Sequence, residues 1–146
     1  MKNTVLFLLA SFLLSRCNDD EHADQNDQIL GTWKFIKISI IGEMGYFEKD
    51  YSEFGITFTF SSDGILTVDR GNSPSRDDLL GRVDDWLDNF HQAKYEFGYF
   101  HLGSSYDPKT LLVKINDGKR TYSYDGSTMI LGLSYVDGPD YHFIKK

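Results

Sequence analysis

Two hydrophobic patterns divide the chain. Residues from Val5 to Leu14 are almost continuously apolar, whereas from Ile29 onward apolar and polar positions alternate in short runs broken by turn residues. Alternation with a period of two marks a strand with one wet face. Gly31 opens the first such run, which reaches Ile41. Trp33 and Phe35 share one face of it and Ile36, Ile38 and Ile40 the other. An apolar side that changes midway predicts a bulge or bend. Ile56 to Phe60 alternates cleanly, Ser61-Ser62-Asp63-Gly64 supplies a turn, and Ile65 to Asp69 returns antiparallel. Further on, Tyr95, Phe97, Tyr99 and His101 share a face, and Leu111, Val113 and Ile115 alternate. Asn116-Asp117-Gly118 is a hairpin signal. Tyr122 and Tyr124 lie on one face of the next run, and Asp125-Gly126 turns again. Met129, Leu131, Leu133 and Tyr135 alternate, Asp137-Gly138-Pro139 turns, and Tyr141 to Lys145 closes the chain. Regular tight turns favour a meander over long crossovers, so the expected fold is all-β: an antiparallel up-and-down β-barrel of about eight strands.

One segment breaks the strand pattern. Pro74-Ser75-Arg76-Asp77-Asp78 reads as a helix start, with Ser75 as cap and the aspartates at the positive end of the dipole. Leu79, Val83, Trp86 and Phe90 then recur at three- and four-residue spacing. This predicts one amphipathic α-helix of about 15 residues inserted between strands. Its apolar stripe suits either a structural plug or a lid over a cavity.

The apolar run from Val5 to Leu14 is too short for a membrane-spanning helix, which needs about 20 residues. It matches the length of a secretory h-region. Leu14-Ser15-Arg16-Cys17 resembles the lipobox of bacterial lipoproteins: Leu14, Ser15 and Cys17 match, and Arg16 stands where a small residue is the rule. The resemblance implies a signal peptide over 1–16 and a lipidated Cys17, with the membrane as partner through its acyl chains. Several chains anchor stably where one anchors marginally. Cys17 is also the chain's one cysteine, so no intramolecular disulfide forms. Asn18-Asp19-Asp20-Glu21 resembles the acidic export tag of Bacteroidota lipoproteins sent to the outer face of the outer membrane. Residues 17–28 are otherwise polar and read as a tether. The expected location is therefore the outer membrane, exposed at the cell surface.

Charge narrows the partners. Removing Lys2 and Arg16 with the signal leaves 13 basic against 22 acidic residues, a net of about −9. Such a surface disfavours nucleic acid. The remaining residues, 29–146, are enough for one domain.

Ile29-Leu30-Gly31-Thr32-Trp33-Lys34 resembles the opening motif of lipocalin-like domains, in which Gly-x-Trp starts the first strand. Phe58 to Gly64, Tyr122 to Ser127 and Tyr141 to Lys145 resemble later strands of the short lipocalin-like domains carried by Bacteroidota lipoproteins. The resemblance spans 29–146. The helix from Arg76 to about His91 departs from it, since lipocalins proper place their long helix after the barrel. Physically, Gly31 lets the backbone bend and Trp33 can close one end of a small barrel.

Catalytic signatures are missing from the sequence. His22, His91, His101 and His142 lack metal-ligand spacing, and no nucleophile elbow, P-loop or dinucleotide fingerprint occurs. Asp84, Asp85 and Asp88 read as a solvated helix face. No cofactor, metal or enzymatic activity is expected. What remains is aromatic richness, with 11 Phe, 9 Tyr and 2 Trp. Tyrosine joins an apolar body to a polar tip, which suits an amphipathic or sugar-like ligand. The expected activity is capture of a small apolar or amphipathic molecule in the barrel, with Trp33, Phe58, Trp86, Tyr95, Tyr99, Tyr122 and Tyr124 as candidate ligand contacts. The alternative is a solid barrel whose surface binds a protein or glycan partner.

Overall fold

A computed structural model describes residues 28–42, 45–73 and 91–146. The expected signal peptide, Cys17 and all but the last residue of the tether lie outside the described residues, as do Trp86 and the rest of the expected helix up to residue 90.

The described chain is all-β. Its strands are β1 (Gly31–Gly42), β2 (Gly45–Asp50), β3 (Thr57–Phe60), β4 (Ile65–Asp69), β5 (Gln92–His101), β6 (Lys109–Ile115), β7 (Gly118–Tyr124), β8 (Thr128–Gly132) and β9 (Asp140–Lys145). Short 3-10 turns occupy Ser52–Phe54 and Ser134–Val136. All pairings are antiparallel, and from β3 to β9 each strand pairs with its successor in sequence. β9 pairs back onto β1 from Trp33↔Lys145 to Ser39↔Asp140, so the sheet runs in a ring. The expected meander is present, with nine strands rather than about eight. The extra one is β2, which continues from β3 along the same edge of β1. Lys34 and its predecessors face β3, and Lys37 to Gly42 face β2.

The change of apolar side in β1 has the expected cause. Pairing with β9 slips by one residue between Phe35 and Lys37, leaving Ile36 as an extra residue. The bulge lets Trp33 and Phe35 point inward before it and Ile38 after it, and all three are buried. One other expectation, a strand running from Met129 through Tyr135, needs correction. β8 ends at Gly132, so Leu133 and Tyr135 are not strand residues. The N–H groups of Leu133 and Ser134 instead donate to the Asp140 carboxylate at 3.2 and 3.3 Å, which turns the chain out of the sheet.

Aromatic rings fill the middle of the ring. Phe35 stacks on Tyr51 with centroids 5.2 Å apart and meets Phe143 at 5.4 Å. Phe58 meets Phe143 edge-on at 4.9 Å, and Phe60 meets Tyr95 edge-on at 5.0 Å. Met129, Leu131 and Val113 complete the packing and are fully buried. Each such side chain contributes about 1.5–3 kcal/mol on burial, which explains why four- and five-residue strands suffice.

Candidate functional site

The structure places the described candidate contacts in two environments and sets out a third, built from other residues, at the β1–β2 hairpin. Trp33 and Phe58 are directly paired across β1 and β3 and are fully enclosed. Trp33 Nε1 donates to the Ile29 carbonyl at 2.7 Å, Lys145 Nζ sits 4.6 Å over its ring, and Tyr124 meets it edge-on at 5.6 Å. The chain thus enters β1 over the buried Trp33 indole. Tyr95 is buried at the β3–β4 turn, where its Oη donates to the Ser61 carbonyl at 2.7 Å. Burial holds this phenol above its usual pKa, so it stays a donor. These three residues touch protein on every side the structure describes. Trp86 lies outside the described residues.

Tyr99, Tyr122 and Tyr124 flank a place where two strands part. β6 and β7 pair from Leu112↔Thr121 to Ile115↔Gly118 and no further. Residues 109–111 continue beside β5 alone, and 122–124 continue beside β8 alone. Tyr99, opposite Leu111, is therefore 42% exposed, and Tyr124 is 38% exposed. Phe97 and Tyr122 sit deeper and meet edge-on at 4.7 Å. The Tyr122 Oη is buried with no hydrogen-bond partner among the described residues. Burial, reinforced by neighbouring Tyr124, pushes its pKa up to about 12. Arg120 precedes it by two residues and so shares its inward face, opposite the buried Val113. Its Nη1 donates to the Lys119 carbonyl at 3.0 Å.

The third environment is one the sequence pattern does not single out. The β1–β2 hairpin carries Ile41, Tyr46 and Phe47 at 72%, 63% and 58% exposure. Ile41 and Tyr46 are a cross-strand pair, and so are Ile40 and Phe47. Alternation puts Tyr46 with Ser39 and Glu48 on the outer face and Phe47 on the opposite one. Apolar groups on both wet faces mean that this hairpin extends beyond the packed part of the ring. The signal in the sequence is a pair of glycines, Gly42 and Gly45, bracketing two residues between apolar positions. A polar network fastens the hairpin's base. Glu48 accepts from Lys37 Nζ at 2.8 Å and from the Tyr46 hydroxyl, and those two bonds hold its carboxyl below the usual range. Beside it, Ser39 Oγ and His142 Nε2 lie 2.7 Å apart and tie β1 to β9. Burial, aided by the Lys37 charge, lowers the His142 pKa and keeps the imidazole neutral.

A groove of about 310 Å³ lies between Leu102, Gly103, Asp107, Pro108, Thr110 and Tyr135. Lys119 Nζ donates to the His101 and Leu102 carbonyls, and the Oη of the lining residue Tyr135 donates to the Lys119 carbonyl at 3.1 Å. Among the described residues no three His, Cys, Asp or Glu side chains converge as a metal site would require. None of the described helices is long and apolar enough to cross a membrane.

Comparison with known proteins gives one partial likeness. Over 108 residues, 71% of this chain, the sequence is 32% identical to a probable cobyric acid synthase of Methanococcus maripaludis. The match covers 21% of that protein, so the chain spans about a fifth of its length. No family model matches the chain, and no solved structure matches it.

Proposed function

We propose that this protein is a membrane-tethered, lipocalin-like lipoprotein, held through Cys17 and displayed at the outer-membrane surface, that works as an interaction module rather than an enzyme. On this reading the barrel is solid and a partner docks on its surface. The observation that carries it is the β1–β2 hairpin. Proteins rarely leave large apolar groups clustered on a strand at the edge of a sheet, because such edges invite pairing with another chain. Here three such groups are exposed on the two faces of one hairpin, while two of the candidate cavity residues, Trp33 and Phe58, are enclosed.

Photo-crosslinking on intact cells tests this. A benzophenone amino acid at position 47 is expected to give a discrete adduct of higher mass. The same group at Tyr106, which is 96% exposed in a loop, is expected to give none. Equal labelling at the two positions, or none at either, would remove the hairpin as a docking surface.

One observation favours a second reading, in which a small amphipathic molecule enters where β6 and β7 part. A buried phenol with no partner among the described residues costs stability, about 1–3 kcal/mol, and a ligand's polar group would relieve it. Phe97, Tyr99 and Tyr124 would supply the apolar contact. Tyr122→Phe is accordingly expected to raise the stability of the ligand-free protein by about 1 kcal/mol. The urea midpoint reads this directly, and a lower midpoint in the variant would mean that the hydroxyl is satisfied by protein.

A further inference from the structure

We infer that the partner of the hairpin is a second copy of this chain, joined through antiparallel pairing of β2 with β2 about a two-fold axis centred on Phe47. The inference rests on the surface reading above and names its partner. Its first support is the backbone. Among the described residues β2 has one strand neighbour, β1. The Tyr51 N–H donates to the Ile36 carbonyl at 2.7 Å, continuing the β1–β2 ladder. Because ladder bonds alternate along an antiparallel strand, Phe47 and Lys49 then also face β1. The N–H and C=O groups of Tyr46, Glu48 and Asp50 point the other way, to the open edge. Six residues of edge with no proline and no bulge form a ready template.

Side chains select the register. A two-fold axis perpendicular to the sheet opposes residues of the same face, so the centre falls on a residue rather than between two. Centring on Glu48 would set two carboxylates directly opposite each other and Tyr46 opposite Asp50, and like charges so placed destabilise a pair. Centring on Phe47 instead places the two Phe47 rings side by side and sets Tyr46 of each copy across from Glu48 of the other. The Glu48 carboxylate already accepts from Tyr46 and Lys37 of its own chain, and its two oxygens retain room for another donor. Phe47 and Tyr46 thereby lose their exposure together.

The geometry also argues against the membrane as occupant. The tether, residues 17–28, joins the domain just before β1, whose 12 residues span about 40 Å. The exposed hairpin is at the far end of that strand, away from the point where the tether enters. A six-residue edge makes a small interface, and the net negative charge of each copy opposes contact. The dimer is therefore expected to dissociate on dilution and to tighten with salt.

Cysteine scanning on the full-length, membrane-anchored protein provides the test. In the register centred on Phe47, positions 47 of the two copies are directly opposite, within disulfide reach, while positions 48 are about 8 Å apart and beyond it. Under mild oxidation Phe47→Cys is expected to give a covalent dimer at least about five-fold more abundantly than Glu48→Cys or the parent with Cys17 alone. Tyr46→Cys co-expressed with Glu48→Cys should restore the crosslink. Equal yields at 47 and 48 would overturn the register. Sedimentation equilibrium of the detergent-solubilised parent protein provides a measurement free of substitutions, and a monomer mass at every concentration would overturn the dimer. A photo-adduct at position 47 whose other half is a different protein would also overturn it, while leaving the surface reading intact. If position 47 gives no adduct at all, both fail.

Discussion

Trp33→Ala is expected to cost about 3–5 kcal/mol of folding stability, the largest effect of any single substitution considered for this chain. The indole is fully buried between its ladder partners Phe58 and Lys145. Truncation removes its transfer free energy and leaves a cavity that rigid strands on both sides cannot close. It also deprives the Ile29 carbonyl of its 2.7 Å donor and Lys145 of the ring beneath its ammonium. Ile29 is itself buried, so the segment leading into β1 should loosen with it. Urea unfolding followed by circular dichroism measures the loss. Tyr106→Ala is the control, because its side chain is exposed and should stay within about 0.5 kcal/mol of the parent. A Trp33→Ala cost below about 1 kcal/mol would mean that the residue does not plug the end of the ring.

The burial of Trp33 was legible in the sequence because a short-range rule governs it. Gly31 and Trp33 sit at the start of an apolar run, and the change of side after Phe35 announces the bulge that the β9 register contains. The same holds for Thr57 to Phe60 and for the turn at Asn116, whose φ of 51° is a conformation asparagine tolerates. β2 was not legible. Both of its faces are wet, so Tyr46-Phe47-Glu48-Lys49 shows no alternation, and only pairing with β1 makes it a strand. The run Met129, Leu131, Leu133, Tyr135 erred the other way. Its alternation outlasts the strand because Asp140 draws the backbone of Leu133 and Ser134 into a loop.

The candidate contacts divide along the same line. Sequence alternation groups Tyr95, Phe97 and Tyr99 on one face, and it groups Tyr122 with Tyr124. It carries no information about where β6 leaves β7, and that divergence decides that Tyr99 and Tyr124 are partly exposed while Tyr95 is clamped to Ser61. Enclosure is a property of ring closure, set by pairings between residues more than a hundred positions apart, such as Trp33 with Lys145. A pattern read in a short window cannot reach that far.

Gly71→Ala should produce the second large loss, about 2–3 kcal/mol, at a position with no apolar signature at all. Gly71 lies just after β4 with a φ of +54°, a left-handed conformation that by itself costs an L-residue roughly 1–2 kcal/mol. Here a steric term is added. A β-carbon would stand 2.3 Å from the Phe54 carbonyl oxygen and 2.8 Å from the Gly55 carbonyl carbon. Both are backbone atoms that cannot rotate away. The neighbouring Asn72 N–H donates to that same Phe54 carbonyl at 2.8 Å, so relief of the clash would break the bond joining the turn after β4 to the turn before β3. Gly55→Ala separates the two contributions. Gly55 also has a positive φ, +71°, but nothing lies within 4 Å of its would-be β-carbon. It should lose only the conformational part, roughly 1–2 kcal/mol. Parallel denaturation of the two variants measures the difference. Equal losses would show that the two turns separate readily. A larger loss at Gly71 would mean that close approach of two backbones holds this end of the ring shut, with the packed core beneath it.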